Sequence, residues 1–282
     1  MLLFSSKKEL IAHLATLKNT STAVGLVPTM GALHKGHLSL VKKAISETKT
    51  VVVSIFVNPT QFDNKDDLKK YPDTLDADLE YLKKVSDELI VFTPSVTELY
   101  SNNISSKEYD FDGLDETMEG EFRSNHFLGV ATVVEKLFSI VKPNKAYFGE
   151  KDFQQLLIIK KLIKKTNMPI EIIGCPIVRE PHGLAMSSRN ERLPKGIRVK
   201  ASCIYETLLA AKKLFGTKSA TNVMNWVKNK FDKQPEFELE YIKIADQDTL
   251  GPVKRKQKNK KYRAFIAVYV NGVRLIDNIA LN

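Results

Sequence analysis

No apolar run in the 282 residues approaches the roughly 20 that span a bilayer, so no membrane-crossing helix and no membrane partner are expected. Cysteine is almost missing. Cys175 and Cys203 stand in different segments without metal-type spacing, which argues against a disulfide framework and for free thiols in a reducing cytoplasm. A secretory leader is not expected either, because Lys7 and Lys8 follow the short apolar run Met1 to Phe4 instead of preceding it. There is no internal repeat, and no low-complexity segment beyond one lysine-rich stretch. The remaining histidines outside one motif (His13, His126, His182) are too scattered to make a zinc site with it.

What is present is the balance of a folded globular protein, 43% apolar and 27% charged. The formal charge of +10 raises the question of a nucleic-acid partner. Its densest part, Lys254 to Arg263, lies between two strand-like runs and has no aromatic residue before Tyr262 on which bases could stack. It reads as a solvated turn, and no nucleic-acid partner is expected.

Along the chain, Ser6 and Glu9 have capping-box spacing and open a helix toward Leu17. Ala23 to Val27 and Val51 to Val57 are apolar without alternation, as buried strands are, and Leu38 to Ile45 between them has helical spacing. Thr74 can cap a helix through Leu82. Leu89 to Phe92, Ala146 to Phe148 and Ile170 to Ile173 continue the strands, with helices predicted over Val130 to Val141 and Phe153 to Ile163. Such an alternation predicts a parallel sheet covered on both faces, a doubly wound, Rossmann-like α/β domain whose ligands bind beyond the strands' carboxyl ends. After about Pro176 the character changes. Helical patterns over Arg198 to Phe215 and Thr221 to Phe231 precede alternating runs Phe237 to Ile244, Ala264 to Val270 and Val273 to Ile276. These predict a smaller α+β domain with an antiparallel sheet, and the division is expected as 1–178 and 179–282.

The chemistry concentrates in Pro28-Thr29-Met30-Gly31-Ala32-Leu33-His34-Lys35-Gly36-His37, between the first predicted strand and its helix. Gly31 and Gly36 have Walker A spacing, but His37 and Leu38 stand where lysine and a hydroxyl are required, so a P-loop is rejected. What remains is His-x-Gly-His at a helix start. Residues three apart share one face, so His34 and His37 aim where free N–H groups and the positive dipole end favour a phosphate. Gly36 lets a nucleotide lie close to the backbone. Two imidazoles can donate to phosphate oxygens as pyrophosphate departs, which is the chemistry of nucleotide activation.

With its neighbours this motif resembles the pantoate–β-alanine ligases, the pantothenate synthetase family, which belongs with the His-x-Gly-His nucleotidyltransferases and class I aminoacyl-tRNA synthetases. Pro28 to Leu40 is similar to that family's first block, Phe56 to Phe62 to the second, Gly120 to Phe138 (with Arg123 and His126) to the third, Gly149 to Leu156 to the fourth, and Met186 to Asn190 to the fifth. Arg274 to Asn278 resembles its C-terminal strand. The resemblance implies an AMP-forming ligase that condenses (R)-pantoate with β-alanine through a pantoyl-adenylate, with ATP and Mg²⁺, as a homodimer. A shorter nucleotidyltransferase acting on a phosphate, and an RNA-binding descendant of a synthetase, are the rival readings.

The implied roles follow residue by residue. His34 and His37 steady the departing pyrophosphate. Lys151 neutralises the transferring phosphate, with Asp152 near a ribose hydroxyl or the lysine itself. Around them the resemblance places ATP against Met30, Gly31, Ala32, Leu33, Lys35 and Gly36, against Gly149 and Glu150, and against Val178. Met186-Ser187-Ser188-Arg189 parallels the synthetases' mobile Lys-Met-Ser-Lys-Ser loop, and its hydroxyls and guanidinium suit the outer phosphates. As part of a closing C-terminal lid, it would complete the clamp begun by the histidines. Gln61 and Gln155 carry the donors and acceptor needed to grip a hydroxy acid. The resemblance gives both to pantoate, and Gln61 also to β-alanine. Two departures stand out: Ser124-Asn125 replaces the usual Pro-Gly before His126, which would loosen the wall near the acyl site, and Asp73 replaces the arginine of Tyr-Pro-Arg. Asp76 and Asp78 are explained by the helix dipole, and the metal ligands are left unassigned.

Overall fold

The structure, a computed structural model, describes residues 1–18, 22–63, 68–69 and 71–282. Helix α1 (Lys7–Lys18) follows a short strand β1 (Leu2–Phe4), and the Ser6 hydroxyl accepts from the Glu9 amide at 3.4 Å, one half of the expected capping box. Strands β2 (Val24–Thr29), β3 (Thr50–Ile55) and β4 (Ile90–Phe92) alternate with α2 (Lys35–Glu47) and α3 (Leu75–Lys83). Short helices α4 (Val96–Tyr100) and α5 (Glu119–Phe122) lead to α6 (His126–Val141). Strand β5 (Lys145–Gly149), helix α7 (Phe153–Thr166) and strand β6 (Glu171–Cys175) close the series.

All pairings in this sheet are parallel, and its order is β1-β4-β3-β2-β5-β6. The chain winds outward from β2 through β3 to β4, then returns to the other side of β2 with β5 and β6. The order therefore reverses between β2 and β5, and in doubly wound sheets the loops beyond the carboxyl ends diverge at such a point and leave a crevice. Val27, Val53 and Val91 from the strands pack with Val41, Leu82 and Tyr147 in one apolar layer.

The chain forms two compact units, Met1–Glu150 with Gln154–Pro176, and Lys151–Phe153 with Ile177–Asn282. In the second, helices α8 (Lys195–Lys200), α9 (Cys203–Phe215) and α10 (Ala220–Phe231) precede an antiparallel sheet β7-β8-β9 (Phe237–Asp246, Tyr262–Val270, Val273–Ala280). Leu208, Phe215 and Val227 of its helices pack on Ile266, Val268 and Leu275 of its sheet.

The expected elements are found with moved ends. Helix α6 starts four residues before Val130, and the single helical pattern Arg198 to Phe215 is broken into α8 and α9. Strand β1 was too short to declare itself, since three residues cannot show a period. Among the described residues no helix is long and apolar enough to cross a membrane.

Candidate active site

At the carboxyl end of β2 the backbone enters the left-handed region twice in succession, at Gly31 (φ 82°) and Ala32 (φ 49°). A glycine meets the first cheaply, but Ala32 costs about 1–2 kcal/mol there. Asp78, buried at the start of α3, provides the compensation. Its carboxylate accepts from the Ala32 amide at 2.9 Å and the Leu33 amide at 2.7 Å, while the Thr74 hydroxyl donates to it at 3.1 Å. Hydrogen bonds to a charged group contribute about 1.5–3 kcal/mol each, so two outweigh the strain. This refines two expectations. Thr74 stands at the N-cap of α3 as expected but gives its hydroxyl to Asp78 without a side-chain cap bond, and Asp78 does more than complement a dipole.

His34 is the N-cap of α2. Its Nδ1 accepts from the Gly36 amide at 3.1 Å, and Nδ1 of His37 accepts from the His34 amide at 3.3 Å. The two rings stack with centroids 4.1 Å apart. Both expected histidines are thus on one face, but the amides of His34 and Gly36 are engaged by imidazoles instead of standing open to a phosphate. The reason is geometric, since an N-cap side chain with an acceptor atom satisfies orphan donors within the first turn. With Nδ1 accepting, a neutral ring carries its proton on Nε2, and each histidine presents that N–H as its donor.

Beyond β3, the turn Pro59–Gln61 is held by Asn58, 1% exposed. Its amide nitrogen donates to Gln61 Oε1 and to the Gly129 carbonyl, both at 3.1 Å, and its oxygen accepts from the Tyr100 hydroxyl at 2.6 Å and from Thr60 Oγ1 at 3.1 Å. Burial, opposed by the bonds to Thr60 and Asn58, raises the Tyr100 pKa, so its phenol remains a donor. Gln61 is thereby oriented, and its Nε2 donates to the Met30 sulfur at 2.9 Å. A thioether is a weak acceptor, so that N–H is readily transferred to a better oxygen. Gly129 makes this packing feasible: a Cβ there would lie 2.3 Å from the Thr60 carbonyl oxygen.

Nδ1 of His126 lies 2.8 Å from the Gln61 carbonyl and its Nε2 lies 3.1 Å from Nη1 of Arg123. A carbonyl only accepts and a guanidinium only donates, which assigns His126 the neutral tautomer with its proton on Nδ1. Asn125, standing where glycine is usual, adopts the left-handed conformation (φ 58°) that asparagine tolerates, and its carbonyl accepts from the Gly129 amide at 3.0 Å. The backbone form that a glycine would take is thus available here without glycine.

At the end of β5, a side chain on Gly149 would meet no atom within 4 Å. Glu150 and Gln155 are half-buried. The neighbouring glutamines differ in use. Gln154 is buried, donating to the carbonyls of Leu114 (2.8 Å) and Thr117 (2.7 Å) and accepting from the Glu119 amide at 3.1 Å, so it ties down the loop before α5.

In the second unit, Lys151 sits half-buried in a 3-10 turn, Glu150–Asp152, with Nζ 4.0 Å from the exposed Asp152 carboxylate. Val178 accepts from the Met186 amide at 2.9 Å and Arg179 bridges Ala185, forming a small hairpin that leads into Ser187. Ser187 Oγ accepts from the Arg189 amide at 3.3 Å and caps the 3-10 turn Ser188–Arg192. Glu180, buried, underpins this hairpin. Burial alone would raise its pKa, but Arg198 (2.8 and 3.0 Å) and Asn190 (2.7 Å) together hold it below the usual carboxylate value.

The family model for pantoate-beta-alanine ligases matches residues 2–280. The chain belongs to this family. The pantothenate synthetase of Christiangramia forsetii is 56% identical over 282 residues, covering 100% of both chains, and that of Flavobacterium psychrophilum is 54% identical over 281, again covering 100% of both. A solved pantothenate synthetase from Thermus thermophilus matches with a TM-score of 0.91 at 39% identity, covering 100% of this chain and 99% of its own. A pantoate–β-alanine ligase from Francisella tularensis, complexed with β-γ ATP and β-alanine, matches at 0.80 and 37%, covering 100% and 98%.

As a pantoate–β-alanine ligase, the chain is an enzyme with the doubly wound architecture and separate antiparallel sheet expected of it. Residues with no site role on sequence grounds support those that have one. Asp78 braces the loop before the histidines, while Asn58 and Tyr100 orient Gln61. Asn58 lies inside the Phe56 to Phe62 block, so a signal was there. Tyr100 and Asp78 lie 42 and 46 positions from the residues they hold, and nothing in spacing connects them.

Proposed function

We propose that the chain joins (R)-pantoate to β-alanine in two steps driven by ATP. A pantoate carboxylate oxygen attacks the α-phosphorus, pyrophosphate leaves, and a pantoyl-adenylate forms. The β-alanine amine then attacks the acyl carbon, AMP departs, and the amine proton is released. No enzyme nucleophile is required. The protein's task is alignment and charge neutralisation.

The observation that carries this reading is the pair of features flanking the strand reversal: a histidine-capped helix start beyond β2 and the open space beside Gly149 at the end of β5. A nucleotide fits such a crevice, and the Nε2 donors of His34 and His37 would meet its phosphates. In this reading Met30, Gly31, Ala32, Leu33, Lys35 and Gly36, together with Gly149, Glu150, Asp152 and Val178, line ATP. Lys151 and Ser187, Ser188 and Arg189 neutralise phosphate charge, with Met186 beside them. Gln61 and Gln155 hold pantoate, and Gln61 also approaches β-alanine. We retain 1–178 as the nucleotide- and pantoate-binding domain and 179–282 as the smaller lid.

Mg²⁺ belongs to the same proposal. Among the described residues no three His, Cys, Asp or Glu side chains gather as a metal cage, and Asp78 is engaged by backbone amides. Such a donor set suits a cation carried on the triphosphate, where it would screen charge and be held mainly by phosphate oxygens and water. A cytoplasmic enzyme also suits the thiols: burial raises Cys175 and Cys203 to about 11, keeping both protonated. A homodimer is proposed from the resemblance alone.

The test is isotope exchange. The enzyme is incubated with ATP, Mg²⁺, labelled pyrophosphate and pantoate, without β-alanine, and label entering ATP is measured. Exchange that requires pantoate is expected, and absence of exchange with any carboxylate would refute the adenylate.

A further inference from the structure

The turn that carries Lys151 is flanked by β5 and α7 of the parallel-sheet unit, yet Lys151–Phe153 groups with the C-terminal unit. Strands β8 and β9 of that unit hold it by side-chain contacts. Asn278 on β9, 2% exposed, donates from Nδ2 to the Lys151 carbonyl at 2.9 Å. Its Oδ1 accepts from Nη1 of Arg263 on β8. Phe265 pairs with Asn278 across the strands, which puts Arg263 diagonally next to it. The arginine, 6% exposed, also lies over the Phe153 ring with its guanidinium carbon 3.9 Å from the centroid, and Phe153 in turn packs on Phe265 at 6.1 Å. The Asn278 backbone N–H donates at 2.7 Å to Asp277, whose carboxylate takes a two-pronged bond from Arg179 at 2.6 and 3.0 Å.

These contacts fix which way the Asn278 amide faces. A guanidinium can only donate, so the side of Asn278 toward Arg263 must be its oxygen, and the side toward Lys151 its NH₂. The Lys151 carbonyl is then held by a donor that is itself held, and the aromatic ring two residues on is clamped by the same arginine. Backbone restraint on both sides of Asp152 limits where the Lys151 side chain can start. A long flexible ammonium gains most from such restraint, because its own rotamers supply none.

We propose that Asn278, oriented by Arg263, is a positioning residue that sets Lys151 for its work on the phosphate. This inference rests on the role proposed for Lys151 and adds the source of its placement. Misplacing a reacting group by about 1 Å costs on the order of a hundredfold, so losing one of two restraints is expected to slow adenylation about ten- to a hundredfold.

The test is a double-mutant cycle on the full-length enzyme, read by single-turnover adenylate formation and by thermal melting. Asn278→Ala removes the donor. Asn278→Asp keeps the shape and the bond from Arg263 but presents an acceptor to the Lys151 carbonyl, and thermal melting shows that rates are compared between folded variants. Both are made with Lys151 intact and with Lys151→Ala. If Asn278 acts through Lys151, either substitution slows the intact enzyme and has less than a twofold further effect once Lys151 is gone. Equal losses in the two backgrounds, or full activity of Asn278→Asp, would overturn the proposal. The reading on which it rests fails separately, through a Lys151→Ala enzyme as fast as the wild type.

Discussion

At the scale of single residues, the site is built from side chains that hold other side chains. His34, His37 and Gln61 carry the chemistry in the function proposed above, and the backbone and side chains that place them are held by Asp78, Asn58 and Tyr100. Asp78 provides the sharpest case, because its two carboxylate oxygens each accept a different backbone N–H of a left-handed turn. Asp78→Asn preserves size but turns an amide N–H₂ against one of those donors. The Ala32–Leu33 turn must then move, and the helix start it feeds moves with it. The expected result is a fall in kcat/KM for ATP of about ten- to a hundredfold, with KM for pantoate within twofold, measured by steady-state kinetics. Kinetics indistinguishable from wild type would show that the turn holds its form unaided. None of this was legible from the sequence, where Asp78 read as a dipole-matched carboxylate. A helix N-terminus accounts for an acidic residue whether or not a third element lies against it.

At the scale of elements, the packing of α6 on the Pro59–Gln61 turn is set by Gly129. The sequence did mark this region, since Phe56 to Phe62 and Gly120 to Phe138 both carry family blocks, but it could not say that one touches the other. Gly129→Ala makes the contact measurable. Alanine gains about 1 kcal/mol in helix propensity, whereas forcing a methyl against backbone 2.3 Å away costs about 1–3 kcal/mol. The clash therefore wins, by a small margin, and relief comes from displacing the turn that carries Gln61. A melting temperature lowered only modestly should accompany a KM for pantoate raised about tenfold or more. A lowered melting temperature with unchanged KM would mean that the helix yields instead of the turn. Periodicity found the helices and strands because their apolar faces repeat. It failed at β1, too short to repeat, and at the α8–α9 break, where Arg198 to Phe215 keeps helical spacing across a local interruption.

At the scale of the whole molecule, alternation of strands and helices was enough to expect a doubly wound sheet, because buried parallel strands lack a polar face. The reversal between β2 and β5 was not, since strand order depends on which helix covers which face, a tertiary matter with no local trace. The excess of positive charge is the other global property, and the lysine-rich turn holds much of it. The structure ties that turn down. Lys256 Nζ reaches the Phe215 carbonyl and lies 4.6 Å from the Phe215 ring centre, Lys260 pairs with Asp246 at 2.9 Å, and the Tyr262 hydroxyl accepts from the Gln257 amide at 2.8 Å. A segment anchored at three points has little freedom to wrap a polyanion, and its exposed charges (Lys254, Arg255, Lys258, Lys261) are expected to act as a diffuse field. At an ionic strength near 0.15 M such a field is screened beyond about 8 Å. Changing those four residues to glutamine lowers the formal charge of +10 by four. Turnover and melting temperature are expected to stay as they are, and kcat/KM for ATP to change by less than about twofold at physiological salt. The salt dependence of kcat/KM is the decisive measurement. A loss of tenfold that persists at high salt would make these side chains direct ligands of a substrate, and the turn part of the site instead of a solvated edge.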